Sequence, residues 1–186
     1  MQTHTSPANN VPIQAIAITL GDPAGIGPEV VVKTLLLHPK PAHPWLLIGN
    51  LWSLEMAAAM LNVTLPSIHM VGDLQEVQGG LNMFDLGHEC PVDFALGKVQ
   101  AACGFTAVAA VETAAKACLA GQVAAMVTAP INKEAIHAAG YVNDIGHQEI
   151  LARLSGVERT ATMLMTPGLK VVHLSTHKSL IKAALY

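Results

Sequence analysis

Aromatic residues make up only 4% of this 186-residue chain and charged residues only 12%. Ten Lys and Arg stand against 13 Asp and Glu, for a formal charge of −3. There is therefore no excess of cations to grip a nucleic-acid backbone. No like-charge block or low-complexity tract interrupts the sequence, which excludes intrinsic disorder over most of its length. The three cysteines, Cys90, Cys103 and Cys118, are odd in number and lack CxxC spacing. They read as reduced thiols of a cytoplasmic protein, serving as small core residues. The opening MQTHTSPANNVP has neither a cationic n-region nor an apolar h-region and does not read as a signal peptide. No membrane span is expected either. The longest apolar-rich stretch, 101–120, carries Glu112 and Lys116 in the i,i+4 spacing of a soluble helix.

What is present is apolarity: 52% of residues, with a mean hydropathy of +0.44. Ala, Leu, Val and Ile supply enough core for one domain, or for one domain and part of a second. After a polar tail over 1–12, the continuous apolar run Ile13–Leu20 predicts a strand buried on both faces, as in a parallel sheet. Pro28 fits the first position of a helix reaching Leu37. Strands follow at Trp45–Gly49 and Ser67–Val71, with a helix between them that Asn50 caps and that runs through Leu61. Leu81–Leu86 reads as an edge strand. A long helix over 97–120 is stopped by Gly121, and Val123–Thr128 reads as another buried strand. Asn132 caps a short helix ending at Gly140, and a further helix covers 148–154. A strand pair, Thr160–Thr166 and Lys170–Leu174, turns at Pro167-Gly168. A last helix starts near His177 and still runs at Tyr186, without a cap or polar tail, as if the chain stopped inside a domain. The alternation implies an α/β fold with a mostly parallel sheet. The expected division is a first domain over 13–128 and the start of a second over 129–186.

Four stretches could carry chemistry. Thr19-Leu-Gly-Asp-Pro-Ala-Gly-Ile-Gly-Pro-Glu29 joins a strand to a helix N-terminus, where backbone N–H groups can meet an anion. It lacks the third glycine of a dinucleotide fingerprint and the GK[ST] of a phosphate loop, so it reads equally as a tight turn. Asp22 within it is placed to touch a substrate or simply to cap the turn. In Thr128-Ala-Pro-Ile-Asn-Lys-Glu134, Lys133 sits near a helix start, either as a cation for an anion site or as a solvated surface lysine. In Gly146-His147-Gln148-Glu149, the helix dipole would hold His147 neutral. In His173-Leu-Ser-Thr-His177, the spacing of a zinc protease is present, but Leu174 stands where its Glu is needed. Ser175 lacks the Gly-x-Ser-x-Gly setting of a hydrolase.

Taken in order, LGDPAGIGPEV, TAPINKEAIHAAG, GHQEILA and VVHLSTHKSL closely resemble the 4-hydroxythreonine-4-phosphate dehydrogenase family of pyridoxal phosphate synthesis. APINKEAIHAAG and VVHLSTH are nearer its branch that oxidises 4-phosphorylated threonate or erythronate. The resemblance runs from Ile13 to Ala184. It implies a three-layer α/β/α fold shared with isocitrate and isopropylmalate dehydrogenases, with the second domain incomplete here. It also implies NAD-dependent oxidation and decarboxylation of 4-phosphohydroxy-L-threonine, or alternatively of 4-phospho-D-threonate or 4-phospho-D-erythronate. The site would lie between domains at a homodimer interface. A divalent metal, zinc above magnesium, manganese or cobalt, would be held there by three histidines from both subunits. By the same resemblance His147 contacts substrate, and Gln148 replaces a customary Thr beside it. His177 is the first metal ligand, and His173 is structural. The remaining metal histidines, the Lys, Asn and Arg that hold substrate, and much of the NAD site have no counterpart in this chain. A non-catalytic fragment is accordingly the reading from another class.

Overall fold

The computed structural model describes residues 15–144, 146–173 and 179–185. The strands are β1 (Ile16–Thr19), β2 (Trp45–Gly49), β3 (His69–Met70), β4 (Leu81–Asp85), β5 (Ala125–Thr128), β6 (Met163–Thr166) and β7 (Leu169–Val172). The α-helices are α1 (Gly27–Leu37), α2 (Leu51–Met60), α3 (Ala101–Leu119), α4 (Lys133–Ala138), α5 (His147–Ser155) and α6 (Leu180–Ala184). β1–β5 form one parallel sheet in the order β3-β4-β2-β1-β5, and β6 and β7 form a separate antiparallel hairpin. This is the expected α/β architecture with a parallel sheet between helical layers.

Each face of the sheet has its own core. Ile18, Leu20, Leu47, Leu81 and Met83 meet Val32, Leu35, Leu54 and Ala58 of α1 and α2. Ala17, Leu46 and Ile48 meet Ala110, Ala114 and Ala117 of α3 on the other side. That alanine stripe explains how a long, apolar helix sits so close to the strands: small side chains let the backbone approach, and dispersion follows contact distance. α3 is long and apolar enough to cross a membrane by composition, but it is mostly buried as the core helix of this fold. Lys116 pairs with Glu112 at 3.4 Å on its outer side, as their spacing predicts.

Several expectations are corrected. β4 is interior, flanked by β2 and β3, and the two-residue β3 forms the edge instead. A short strand offers few ladder bonds, so the hydrophobic pattern of 81–86 is spent on two neighbours rather than one. β5, read as buried, is the other edge and alternates between exposed and half-buried residues. Asn50 stands at the start of α2 but makes no capping bond. Its Nδ2 donates instead to the His88 carbonyl. Among the cysteines, Cys103 is buried, Cys118 half-buried and Cys90 exposed, so only the first is fully a core residue.

Asn132 does cap α4, with its Oδ1 accepting from Glu134 N and Ala135 N at 2.9 and 3.2 Å. α4 then lies against α3 at Gly104, where any Cβ would collide with the Ala135 carbonyl and the Ile136 amide. α5 packs beside it, with Ile150 joining Val108, Val111 and Ile136 in a third apolar cluster.

Candidate functional site

Parallel α/β sheets gather ligand-binding groups at the carboxyl ends of their strands. Here that edge is formed by the turn after β1, by Ala129-Pro130 after β5, and by the start of α5. The turn after β1 is shaped by backbone contact. Asp22 N donates to the Pro130 carbonyl at 3.0 Å. Gly21, at φ +74°, has no room for a Cβ beside that carbonyl, and Gly27 has none beside the Leu20 carbonyl. Both glycines are therefore required by chain-to-chain packing at these two positions.

Asp22 follows the same logic. Its Oδ1 accepts from Ala24 N at 2.9 Å, and the loop before α3 closes over it through Gly97 N donating to the Ala24 carbonyl at 2.8 Å. Only 3% of the residue is exposed. Burial pushes its carboxyl above the usual value near 3.8, and the Ala24 amide opposes that rise. Asp22 caps its own turn.

His147 is placed differently. Its Nε2 is buried with no partner. A buried ring nitrogen without a partner can accept a hydrogen bond from a ligand when the ring is neutral and its proton sits on Nδ1. Burial lowers its pKa below the ordinary 6.5, and the Ala129 contact pulls the other way. Desolvation thus shifts the ring in the same direction as the helix dipole would. The end of α5 is anchored by Arg153, whose guanidinium donates to Asp144 at 2.7 Å and to Glu112 at 2.9 Å. Both carboxylates raise the already high pKa of Arg153. This fork ties α5 to α3 and fixes where His147 stands.

Gln148, the neighbour expected beside a ligand, has both ends of its amide engaged. Nε2 donates to Thr160 Oγ1 at 2.7 Å and Oε1 accepts from Thr162 Oγ1 at 3.1 Å. As placed, it fastens the chain entering β6 to the first turn of α5. Lys133 opens α4, exposed. His173 is exposed just after β7, and His177 lies outside the described residues. Among the described residues no three His, Cys, Asp or Glu side chains converge on a common point, so these residues alone do not fit a metal ion.

Sequence reasoning overlooked two buried polar atoms at the same edge. Thr19 Oγ1 and Asn50 Oδ1 are fully buried and unpartnered. Asn50 also bonds the loop at His88, whose Nδ1 lies 3.1 Å from Thr106 Oγ1. The available signal was a polar residue directly following an apolar strand, a position more often buried than capping in a two-sided sheet.

The family model of the pyridoxal phosphate biosynthetic protein PdxA matches residues 41–185. The D-threonate 4-phosphate dehydrogenase of Salmonella typhimurium is 41% identical over 172 residues, covering 91% of this chain and 52% of that protein. A solved 4-hydroxythreonine-4-phosphate dehydrogenase from Klebsiella pneumoniae superposes with a TM-score of 0.81 at 35% identity, over 93% of this chain and 53% of its own. A terephthalate 1,2-cis-dihydrodiol dehydrogenase from Burkholderia xenovorans reaches 0.67 at 28% identity, over 91% and 50%. The chain spans about half the length of the relatives it matches. By that match over residues 41–185 and by its likeness to these relatives, the chain belongs to the PdxA family of pyridoxal phosphate biosynthetic proteins.

Proposed function

We propose that this chain supplies the His147-bearing half of a cytoplasmic, homodimeric dehydrogenase. Its substrate would be a four-carbon hydroxy acid phosphorylated at its end, with D-threonate 4-phosphate preferred over D-erythronate 4-phosphate and 4-phosphohydroxy-L-threonine. The observation that carries the reading is the buried, unpartnered Nε2 of a neutral His147 at the carboxyl edge of the sheet. An orphaned acceptor in such a place costs stability unless a ligand donor satisfies it. A secondary hydroxyl supplies that donor. His147 would accept its proton in a hydrogen bond and so orient the carbon bearing it. Lys133 offers an exposed cation on the neighbouring helix for a phosphate.

NAD would accept the hydride in the complete enzyme. A divalent ion would need His177 together with ligands from outside the described residues, and no step is assigned to it. The names of the curated relatives support the threonate preference. The dihydrodiol dehydrogenase shows that a related scaffold also serves a substrate whose name carries no phosphate. For the 186-residue chain alone a second reading is favoured: no turnover, because it spans about half of each relative.

The test is NADH formation with each of the three phosphorylated acids. It is run on this chain alone and on the chain joined to the portion of the S. typhimurium relative outside the match. The joined protein should turn over D-threonate 4-phosphate fastest, and the isolated chain none. Equal rates on an unphosphorylated cis-diol would overturn the substrate class.

A further inference from the structure

Two free thiols, Cys90 and Cys103, flank the start of α3 and have no part in the proposed site. The segment 86–100 joins β4 to α3 and crosses the first turns of that helix, held at two places. His88 Nδ1 lies 3.1 Å from Thr106 Oγ1, and its ring centroid stands 5.1 Å from that of Phe105. Further along, Gln100, just before α3, donates from Nε2 to the Asp93 carbonyl and accepts at Oε1 from Ala95 N, each at 3.0 Å. Gln100 and Thr106 are about 9 Å apart along the helix axis. Cys103 lies between them on the helix, and Cys90 lies between His88 and Asp93 on the crossing segment. The chain therefore carries Cys90 past the turn that holds Cys103.

Cys103 is only 1% exposed, whereas Cys90 is open to solvent. Burial pushes the Cys103 thiol up to about 11; Asp22 adds to the rise, the Ala24 amide opposes it, and Cys90 and Asp93 add to it further. The groups acting on this sulfur thus come from two sides, the turn after β1 and the crossing segment, with Cys90 among them. Cys118 is about 22 Å further along α3, out of reach of both. The crossing segment also closes over Asp22, through Gly97 N donating to the Ala24 carbonyl at 2.8 Å. Its Leu96 and Gly97 wall a cavity of about 420 Å³ together with Pro23, Gly25, Ser53 and Met56.

From this placement we infer that Cys90 is a site of oxidation by hydroperoxides and that Cys103 resolves it, closing a reversible disulfide that latches the crossing segment onto α3. The inference stands apart from the proposed activity. In the first step the Cys90 thiolate attacks a peroxide oxygen. The S–O bond forms, the O–O bond breaks, and the leaving oxygen takes a proton to depart as water or an alcohol. In the second step the Cys103 sulfur attacks the Cys90 sulfenic acid. The S–S bond forms, the S–O bond breaks, and the departing hydroxide takes the Cys103 proton and leaves as water. Two thiols lose two electrons and the hydroperoxide gains them. Held as a thiol, Cys103 is inert to peroxide by itself, yet its sulfur is the stronger nucleophile once the proton goes. The bond would fix covalently one wall of the cavity that hydrogen bonds alone now hold.

The test treats the folded chain with a few equivalents of hydrogen peroxide, blocks the remaining thiols in denaturant, and maps peptides without reduction. The expected product joins the peptide of Cys90 to that of Cys103, leaves Cys118 free to be blocked, and reverts with dithiothreitol. Cys103→Ser removes the resolving sulfur, so dimedone should capture about tenfold more Cys90 sulfenic acid than in the parent. Cys90→Ser, an exposed change that spares the core, should leave Cys103 unoxidised. Hydrogen exchange over 91–97 should slow about threefold or more in the oxidised parent. Three results would overturn the inference. One is Cys90 driven on to sulfinic or sulfonic acid while Cys103 stays a free thiol. Another is a disulfide that forms only between Cys90 residues of two chains, or to Cys118. The third is a Cys90–Cys103 bond that leaves exchange over 91–97 unchanged.

Discussion

Gly104 is the point at which the site's supporting helices touch, and Gly104→Ala perturbs it with a single methyl group. The added Cβ would overlap the Ala135 carbonyl and the Ile136 amide, both of them backbone atoms of α4 that no rotamer change can move aside. α4 would have to retreat by about 1 Å, and a gap of that size forfeits a quarter to a half of each dispersion contact it opens. Ile136, fully buried between α3 and α5, would lose most. Overpacking of this kind costs about 3 kcal/mol, and alanine's better helix propensity returns about 1 kcal/mol. A net loss near 2 kcal/mol lowers the melting temperature of a chain this size by about 4–8 °C. The assay is thermal unfolding followed by circular dichroism, with the parent melted beside the variant. A variant melting within 1 °C of the parent would refute the close approach of α3 and α4.

Arg153→Ala leaves Asp144, almost buried, without its partner, but Arg153 itself is half exposed and solvent softens the loss. About 1–2 kcal/mol of stability should go, checked by urea unfolding beside the parent, and an unchanged midpoint would contradict the pairing. For His147 the folded pKa lies below the unfolded 6.5, so the unfolded chain takes up the proton first as pH falls. Its contribution is full above pH 6.5 and declines as pH drops from there toward the folded value. His147→Asn should flatten that segment of the stability–pH curve, and an unchanged slope would contradict the burial. Gln148→Thr shortens the bridge to Thr160 and Thr162. It should speed hydrogen exchange over 160–162 while leaving the exchange of α3 alone, and unchanged exchange at both places would remove the bridge from the account.

The alternation of apolar runs with capped, periodic segments was enough to place β1, β2, α1, α3, α4 and the hairpin, because each satisfies a local rule. Trp45–Gly49 is a continuous buried run, Asn132 a working cap and Pro167-Gly168 a turn. Sheet order was not legible in that way. Whether 81–85 or 125–128 lies at an edge depends on which strands neighbour it, and apolarity alone cannot separate a central strand from an edge. In the site, His147 stood out by motif, but the burial that leaves its Nε2 without a partner comes from tertiary packing that no local pattern encodes. Asn50 misled for a similar reason: its residue type favours a cap, and the tertiary contact with His88 wins.

The most direct measurement of the central claim is the nitrogen-15 spectrum of the His147 ring in the chain at pH 7, recorded before and after adding D-threonate 4-phosphate. The account predicts a neutral imidazole with its proton on Nδ1, and an Nε2 resonance that shifts when the acid binds. An imidazolium, or a proton resting on Nε2 in the free chain, would contradict the open acceptor from which the functional reading is built.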